Sequence, residues 1–290
     1  MRDTGRPPAR TGTGDGRIVT VASGKGGVGK TVLTALIGAT LAAQGRRVLL
    51  VDGDMGLRDL DLVVGMENRV LFDIFDVATG RCFEEDAIVS VVPGLDLLPA
   101  SQRYRWEDIE GDAVLTVLED VRHRYDYILI DSPAGVGKGL YYTLDMADLI
   151  LLVAEPTWVS VRDTGRLMSD LRERRQLSYA LLGNRFGQTA ESLPPEDWAD
   201  ALGAEELAGI VPYSDAVAAA AQEGRLATPH AAGAAQRALD AVATYLETGA
   251  SLSPEEWARE LRAMTTRSRA RYLVRRRQTA RQWRRGRGYR

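Results

Sequence analysis

Short apolar runs rich in β-branched residues alternate along this chain with longer stretches of helical spacing. Residues 17–22 (RIVTVA) read as a buried strand, 23–30 as a glycine-rich turn, and 31–44 as a helix that stops at Gly45. Further strands are expected at 47–51 (RVLLV), 95–98, 127–130 (YILI), 149–154 (LILLVA), 179–182 and 209–211. Further helices are expected at 70–79, 113–123, 161–176, 196–202, 216–223 and 231–247. Strands that are apolar throughout, alternating with helices, predict a mostly parallel sheet covered on both faces: a doubly wound α/β fold. Ligands of such sheets bind at the carboxyl ends of strands. Asp52, Asp131 and the glycine-rich turn all fall at such ends.

The 290 residues, 45% hydrophobic and 27% charged, suffice for one large α/β domain. No apolar run approaches the ~20 residues of a membrane span. Residues 1–16 lack the apolar core of a secretory signal and read as a disordered leader. Cys82 is the only cysteine, and His123 and His230 are the only histidines. That excludes a disulfide framework and a Cys/His metal site, and points to a reducing cytoplasm.

The net charge of −3 conceals an asymmetry, because residues 261–290 hold twelve arginines and no acidic residue. The expected organisation is a leader (1–16), an α/β domain (17–247), a linker (248–253) and a basic, partly helical tail (254–290). Ser253, Pro254 and Glu256 make a helix start for that tail. A basic appendage on an acidic body is an interaction arm for lipid or nucleic acid. Lysine is scarce: Lys25, Lys30 and Lys138 are the only three. Two of them share the glycine-rich turn, where a compact, flexible ammonium does what a planar guanidinium cannot.

That turn spells S-G-K-G-G-V-G-K-T over residues 23–31, between a strand and a helix, which is the setting of a P-loop. Gly24, Lys25, Gly26, Gly27, Val28 and Gly29 would wrap backbone N–H groups around phosphate oxygens. The helix N-terminus adds partial positive charge. Lys30 would reach the β- and γ-phosphates, and the Thr31 hydroxyl would ligate Mg²⁺. Residues 127–135 (YILIDSPAG) form a Walker B pattern in which Asp131 holds a Mg²⁺-bound water. The following loop, with Gly135, Gly137 and Gly139, is a candidate γ-phosphate sensor and also carries Lys138.

With its second lysine after the first glycine, the loop resembles the deviant Walker A (SIMIBI-type) P-loop NTPases. GLRDLDLVVGM (56–66), LPASQ (98–102), DSPAG (131–135) and SVRD (160–163), in that order, resemble the MinD branch of the MinD/ParA family, septum-site-determining ATPases. The resemblance runs from about Arg17 to about Leu246. It implies that Lys25 crosses a dimer interface to the partner's phosphates, and that Asp54 positions the attacking water while Asp52 lies near the Mg²⁺ shell. It also implies that Asn184 and Pro212, each after a strand, frame the adenine. No Asn/Thr-Lys-x-Asp guanine signature is present, so ATP is expected over GTP. Asp59 and Asp61 have no such support and are expected at the surface or capping a helix.

The implied function is a homodimer in the ATP state that hydrolyses ATP with Mg²⁺. It would be cytoplasmic and peripheral at the inner face of the membrane, with a division inhibitor and an ATPase-activating protein as partners. Two departures stand out. Val32 replaces the second threonine usual after the loop, removing a hydroxyl near the α-phosphate. The tail offers only Tyr272, Leu273, Val274, Trp283 and Tyr289 among its arginines, where relatives end in a short amphipathic helix. A ParA-like partition ATPase binding DNA and a flagellar-placement relative are the alternative readings. Iron–sulfur carriers on this fold need paired cysteines, which Cys82 alone excludes. The tyrosine cluster of bacterial kinases on this fold is not made by Tyr272 and Tyr289.

Overall fold

Alternate residues of three central strands enter two separate cores. Ile18, Leu49, Val51, Ile128 and Ile130 join Ile74, Phe75, Val114, Leu118 and Val121 in one. Val19, Val21, Leu50 and Leu129 join Leu33, Ile37, Leu41 and Val242 in the other. A strand covered on both faces needs apolar residues at every position, which is why these runs show no polar alternation. The computed structural model describes residues 16–263 except 110, 111, 136, 175–177, 190, 205 and 229–232. The expected leader up to residue 15 and the tail beyond residue 263, with Tyr272, Leu273, Val274, Trp283 and Tyr289, lie outside the described residues.

The strands are β1 (Arg17–Ala22), β2 (Val48–Asp52), β3 (Val89–Val92), β4 (Leu95–Leu98), β5 (Tyr127–Asp131), β6 (Leu149–Ala154), β7 (Tyr179–Phe186) and β8 (Leu207–Pro212). They form one sheet in the order β3-β4-β2-β5-β1-β6-β7-β8. Every pair is parallel except β3 with β4. The helices are α1 (Lys30–Ala43), α2 (Leu60–Val63), α3 (Ile74–Ala78), α4 (Glu84–Ala87), α5 (Ala113–Arg122), α6 (Lys138–Asp145), α7 (Trp158–Glu173), α8 (Pro195–Leu202), α9 (Asp215–Gln222) and α10 (Ala234–Thr248). A last helix, α11, covers 254–263. Strand order turns back at β1, which lies between β5 and β6, so the crevice at its carboxyl end is the topological switch point of the sheet.

The expected doubly wound, mostly parallel sheet is the observed one, and its departures from the expected elements have local causes. β3 is an antiparallel edge strand with half-exposed residues (VSVV), a pattern too short and too mixed to stand out. The helix expected over 70–79 shrinks to α3, because Asp73 and Asp76 close a capping box at its start. β7 runs four residues beyond its expected end at Leu182, so Asn184 lies inside the strand and not after it. Lys138 opens α6 instead of lying in a loop.

At the far end, the Ser253 N–H donates to Glu256 Oε2 (2.8 Å) and the Glu256 N–H donates to Ser253 Oγ (3.3 Å). This is the expected cap of α11. Trp257 from that helix is buried in the same core as Val242 of α10. The start of the basic segment is therefore packed on the domain. Among the described residues no helix is long and apolar enough to cross a membrane.

Candidate functional site

The phosphate loop, residues 23–29, joins β1 to α1. Gly29 caps α1 in the left-handed region (φ 94°), and a Cβ there would sit 2.5 Å from Asn184 Nδ2. Only glycine fits on both counts. No side chain caps the N-terminus of α1, so its first N–H groups are open to an anion. β7 ties the loop from behind: Asn184 Nδ2 donates to the Val28 carbonyl (2.7 Å), and Arg185 donates to the Gly27 carbonyl (2.9 Å). Arg185 itself adopts φ 57°, where the register between β7 and β8 breaks. A bulky residue held in that region is strained unless its surroundings fix it.

The two loop lysines differ in environment. Lys30 is buried at 7% exposure and acts electrostatically on both Asp54 and Asp131. The Lys25 side chain is 37% exposed, with its Nζ 3.5 Å from Glu155 Oε2. Glu155 also takes Arg185, at 2.7 Å from its Oε1.

Three carboxylates gather at the strand ends. Asp52 and Asp131 stand opposite each other in the β2–β5 register. Burial lifts Asp52 well above the usual carboxylate range, with repulsion from Asp131 adding to it. Its Oδ1 accepts from the Asp54 N–H (2.9 Å) and its Oδ2 from the Leu60 N–H (3.0 Å). Asp52 thus fixes the loop that carries Asp54. Burial also raises Asp54, and the nearby Lys30 and Arg105 oppose that rise. Asp131 is pushed up to about 7 by burial, opposed by a hydrogen bond from Thr31 and by the charge of Lys30. Asp61, expected at the surface or capping a helix, is instead buried beside Arg58 (2.9 Å), because the one-turn helix α2 faces inward there.

The residues present fit Mg²⁺. Asp131 Oδ1 is buried with no hydrogen-bond partner, on the same carboxyl group that takes the hydrogen bond of Thr31. No group of three or more His, Cys, Asp or Glu among the described residues forms a metal cage by itself. One hydroxyl and one carboxylate, completed by phosphate oxygens and water, is how Mg²⁺ is usually held. Beside the loop lies a cavity of about 350 Å³ lined by Gly29, Val32, Asn184, Val211, Pro212 and Tyr213. It has room for a nucleobase, and Val32 supplies apolar wall in place of a hydroxyl. Of the expected site residues, Gly29, Val32, Asn184 and Pro212 line this cavity, while Lys30, Thr31, Asp52, Asp54 and Asp131 cluster at the strand ends.

Sequence reading missed Glu155, Arg185, Arg105 and Trp106 as neighbours of the site. For Glu155 a signal existed, since it follows the strand LILLVA just as Asp52 and Asp131 end theirs. For the other three nothing in the pattern pointed to them.

A family model described as an AAA domain matches residues 16–179. The septum site-determining protein MinD of Synechocystis sp. is 36% identical over 214 residues, spanning 72% of this chain and 80% of that protein. The MinC:MinD cell division protein complex of Aquifex aeolicus contains a chain 36% identical to this one with a TM-score of 0.73, covering 82% of this chain and 98% of that one. The MinD of Pyrococcus horikoshii, solved with Mg-ADP, is 28% identical with a TM-score of 0.71, covering 80% and 96%.

Proposed function

Since this chain belongs to the MinD family of P-loop ATPases, we propose that ATP pairs two copies of it across their phosphate loops and that hydrolysis separates them. The switch would place the division septum at the membrane. ATP and Mg²⁺ are its cofactors, and its reaction is ATP hydrolysis. The loop N–H groups and Lys30 hold the phosphates, and the cavity between α1, β7 and β8 takes the base. Thr31 and Asp131 would hold Mg²⁺, which when bound neutralises charge on the transferring phosphate. Asp54 orients the attacking water, and Asp52 holds Asp54 in place through its backbone.

The observation that carries the dimer reading is the contrast between the lysines. Lys30 is buried toward its own carboxylates, whereas Lys25 is 37% exposed and held by an ion pair at the rim. A cation so placed can reach a second molecule's phosphates, as an arginine finger does. By likeness to the MinC:MinD complex, the dimer would recruit a division inhibitor, and an activating protein would trigger hydrolysis. The basic tail would bind anionic lipid, two tails per dimer binding more firmly than one.

Sedimentation with anionic liposomes, and separately with DNA, tests this with and without ATP. ATP-dependent liposome binding that is lost on deleting residues after Thr266, with hydrolysis intact, is expected. Preference of the full chain for DNA at physiological salt would instead favour the partition reading.

A further inference from the structure

Gly53, the residue before Asp54, is held on both sides. Its N–H donates to the Asp131 carbonyl (2.9 Å), and its own carbonyl accepts the Trp106 indole N–H (2.8 Å). The same indole packs on α6, the helix that follows the loop after Asp131. Its ring stacks on Tyr142 with centroids 5.7 Å apart and planes 18° apart. A Cβ added at Gly139 would lie 2.4 Å from Trp106 Cδ1, so the helix backbone approaches the indole as closely as a glycine allows. Next to it, Arg105 donates to the Met55 carbonyl (3.0 Å) and the Gly56 N–H donates to the Ser101 carbonyl (2.6 Å). Segment 101–106 therefore forms the floor under the Asp54 loop.

We infer that Trp106 is a positioning residue for hydrolysis: one rigid ring ties the Asp54 loop to the start of α6, so that the two phosphate-facing segments keep a fixed relation. Core packing alone does not explain its hydrogen bond. Among the described residues, the other two buried tryptophans, Trp198 and Trp257, leave their indole N–H groups without a partner, whereas that of Trp106 is spent on the carbonyl of Gly53, next to Asp54. Water positioning tolerates little error, because a shift of about 1 Å can cost on the order of 100-fold in rate. A ring that touches both segments transmits any movement of α6 to Gly53 without a flexible joint.

This inference rests on the assignment of Asp54 to water positioning. Trp106→Phe keeps an aromatic ring facing Tyr142 and deletes the N–H together with the fused second ring. Tyr142→Leu deletes the stack and keeps the N–H. In the full chain, Trp106→Phe is expected to lower kcat about ten-fold while KM and affinity for a non-hydrolysable ATP analogue stay within about two-fold. Tyr142→Leu should lower kcat less, and the double variant should be no slower than Trp106→Phe, since both act through one ring. The inference is overturned if Trp106→Phe keeps kcat within about two-fold of the parent. It is equally overturned if nucleotide affinity and thermal midpoint fall in step with kcat, or if the two substitutions simply add. Asp54→Ala separates the two failures. If that variant turns over normally, the water-positioning assignment itself is wrong. If it is inactive while Trp106→Phe is unaffected, only the role of Trp106 is.

Discussion

Lys25 Nζ lies 3.5 Å from Glu155 Oε2, at the rim of the phosphate loop and away from the buried Lys30. Glu155 stands just past the carboxyl end of β6, so the sheet itself supplies the anion that holds this lysine. With both groups partly exposed, the pair is worth little in stability. It keeps Lys25 placed while leaving it free to exchange partners.

Lys25→Ala should therefore keep nucleotide binding in the monomer and lose ATP-dependent dimerisation. Light scattering with a non-hydrolysable analogue reads this directly. A dimer of parental stability would remove Lys25 from the interface.

Lys30→Ala removes the buried cation proposed to hold the phosphates, with Thr31, Asp54 and Asp131 left in place. Loss of a charge-assisted contact worth up to about 3 kcal/mol implies on the order of 100-fold weaker ATP binding. Titration with a fluorescent ATP analogue measures it, and near-parental affinity would contradict the phosphate-loop assignment.

Asp54→Ala should bind ATP and dimerise but hydrolyse poorly, because the loop cradle does not depend on this side chain. The expected fall in kcat is about 10²–10⁴-fold with KM little changed. Turnover at the parental rate would exclude Asp54 from the chemistry.

Asp131 gives a pH prediction. Burial raises its carboxyl from the ordinary 3.8 to about 7 in the folded protein. A raised folded pKa means that the neutral form is favoured on folding. Its contribution is fully present below the unfolded value and is lost as pH rises through about 7. Asp131→Asn has no such titration. Without nucleotide or Mg²⁺, its thermal midpoint should gain on the parent as pH goes from about 5 to about 8, while Mg²⁺-dependent hydrolysis is lost. An equal gap at both pH values would mean that no buried charge penalty resides at Asp131.

The class of sheet, the phosphate loop and the two strands that end in Asp52 and Asp131 were legible from the residues in order. These are local features. A strand apolar at every position declares that both its faces are covered, and a glycine-rich turn between a strand and a helix is read from adjacent residues alone. The cap at Ser253 and Glu256 was legible for the same reason, since its partners lie three residues apart. Asn184 was flagged by resemblance, but not its grip on the Val28 carbonyl, which joins residues 156 positions apart.

Which distant groups meet is settled only in the folded chain. Glu155 beside Lys25, Arg185 on Gly27, and Trp106 under Gly53 all follow from the order of strands around β1 and from how the connecting segments pack back on them. Strand order is set by burial summed over the whole chain, and no local pattern carries it. A carboxylate or indole acquires its role only once that order has placed a partner within hydrogen-bonding reach.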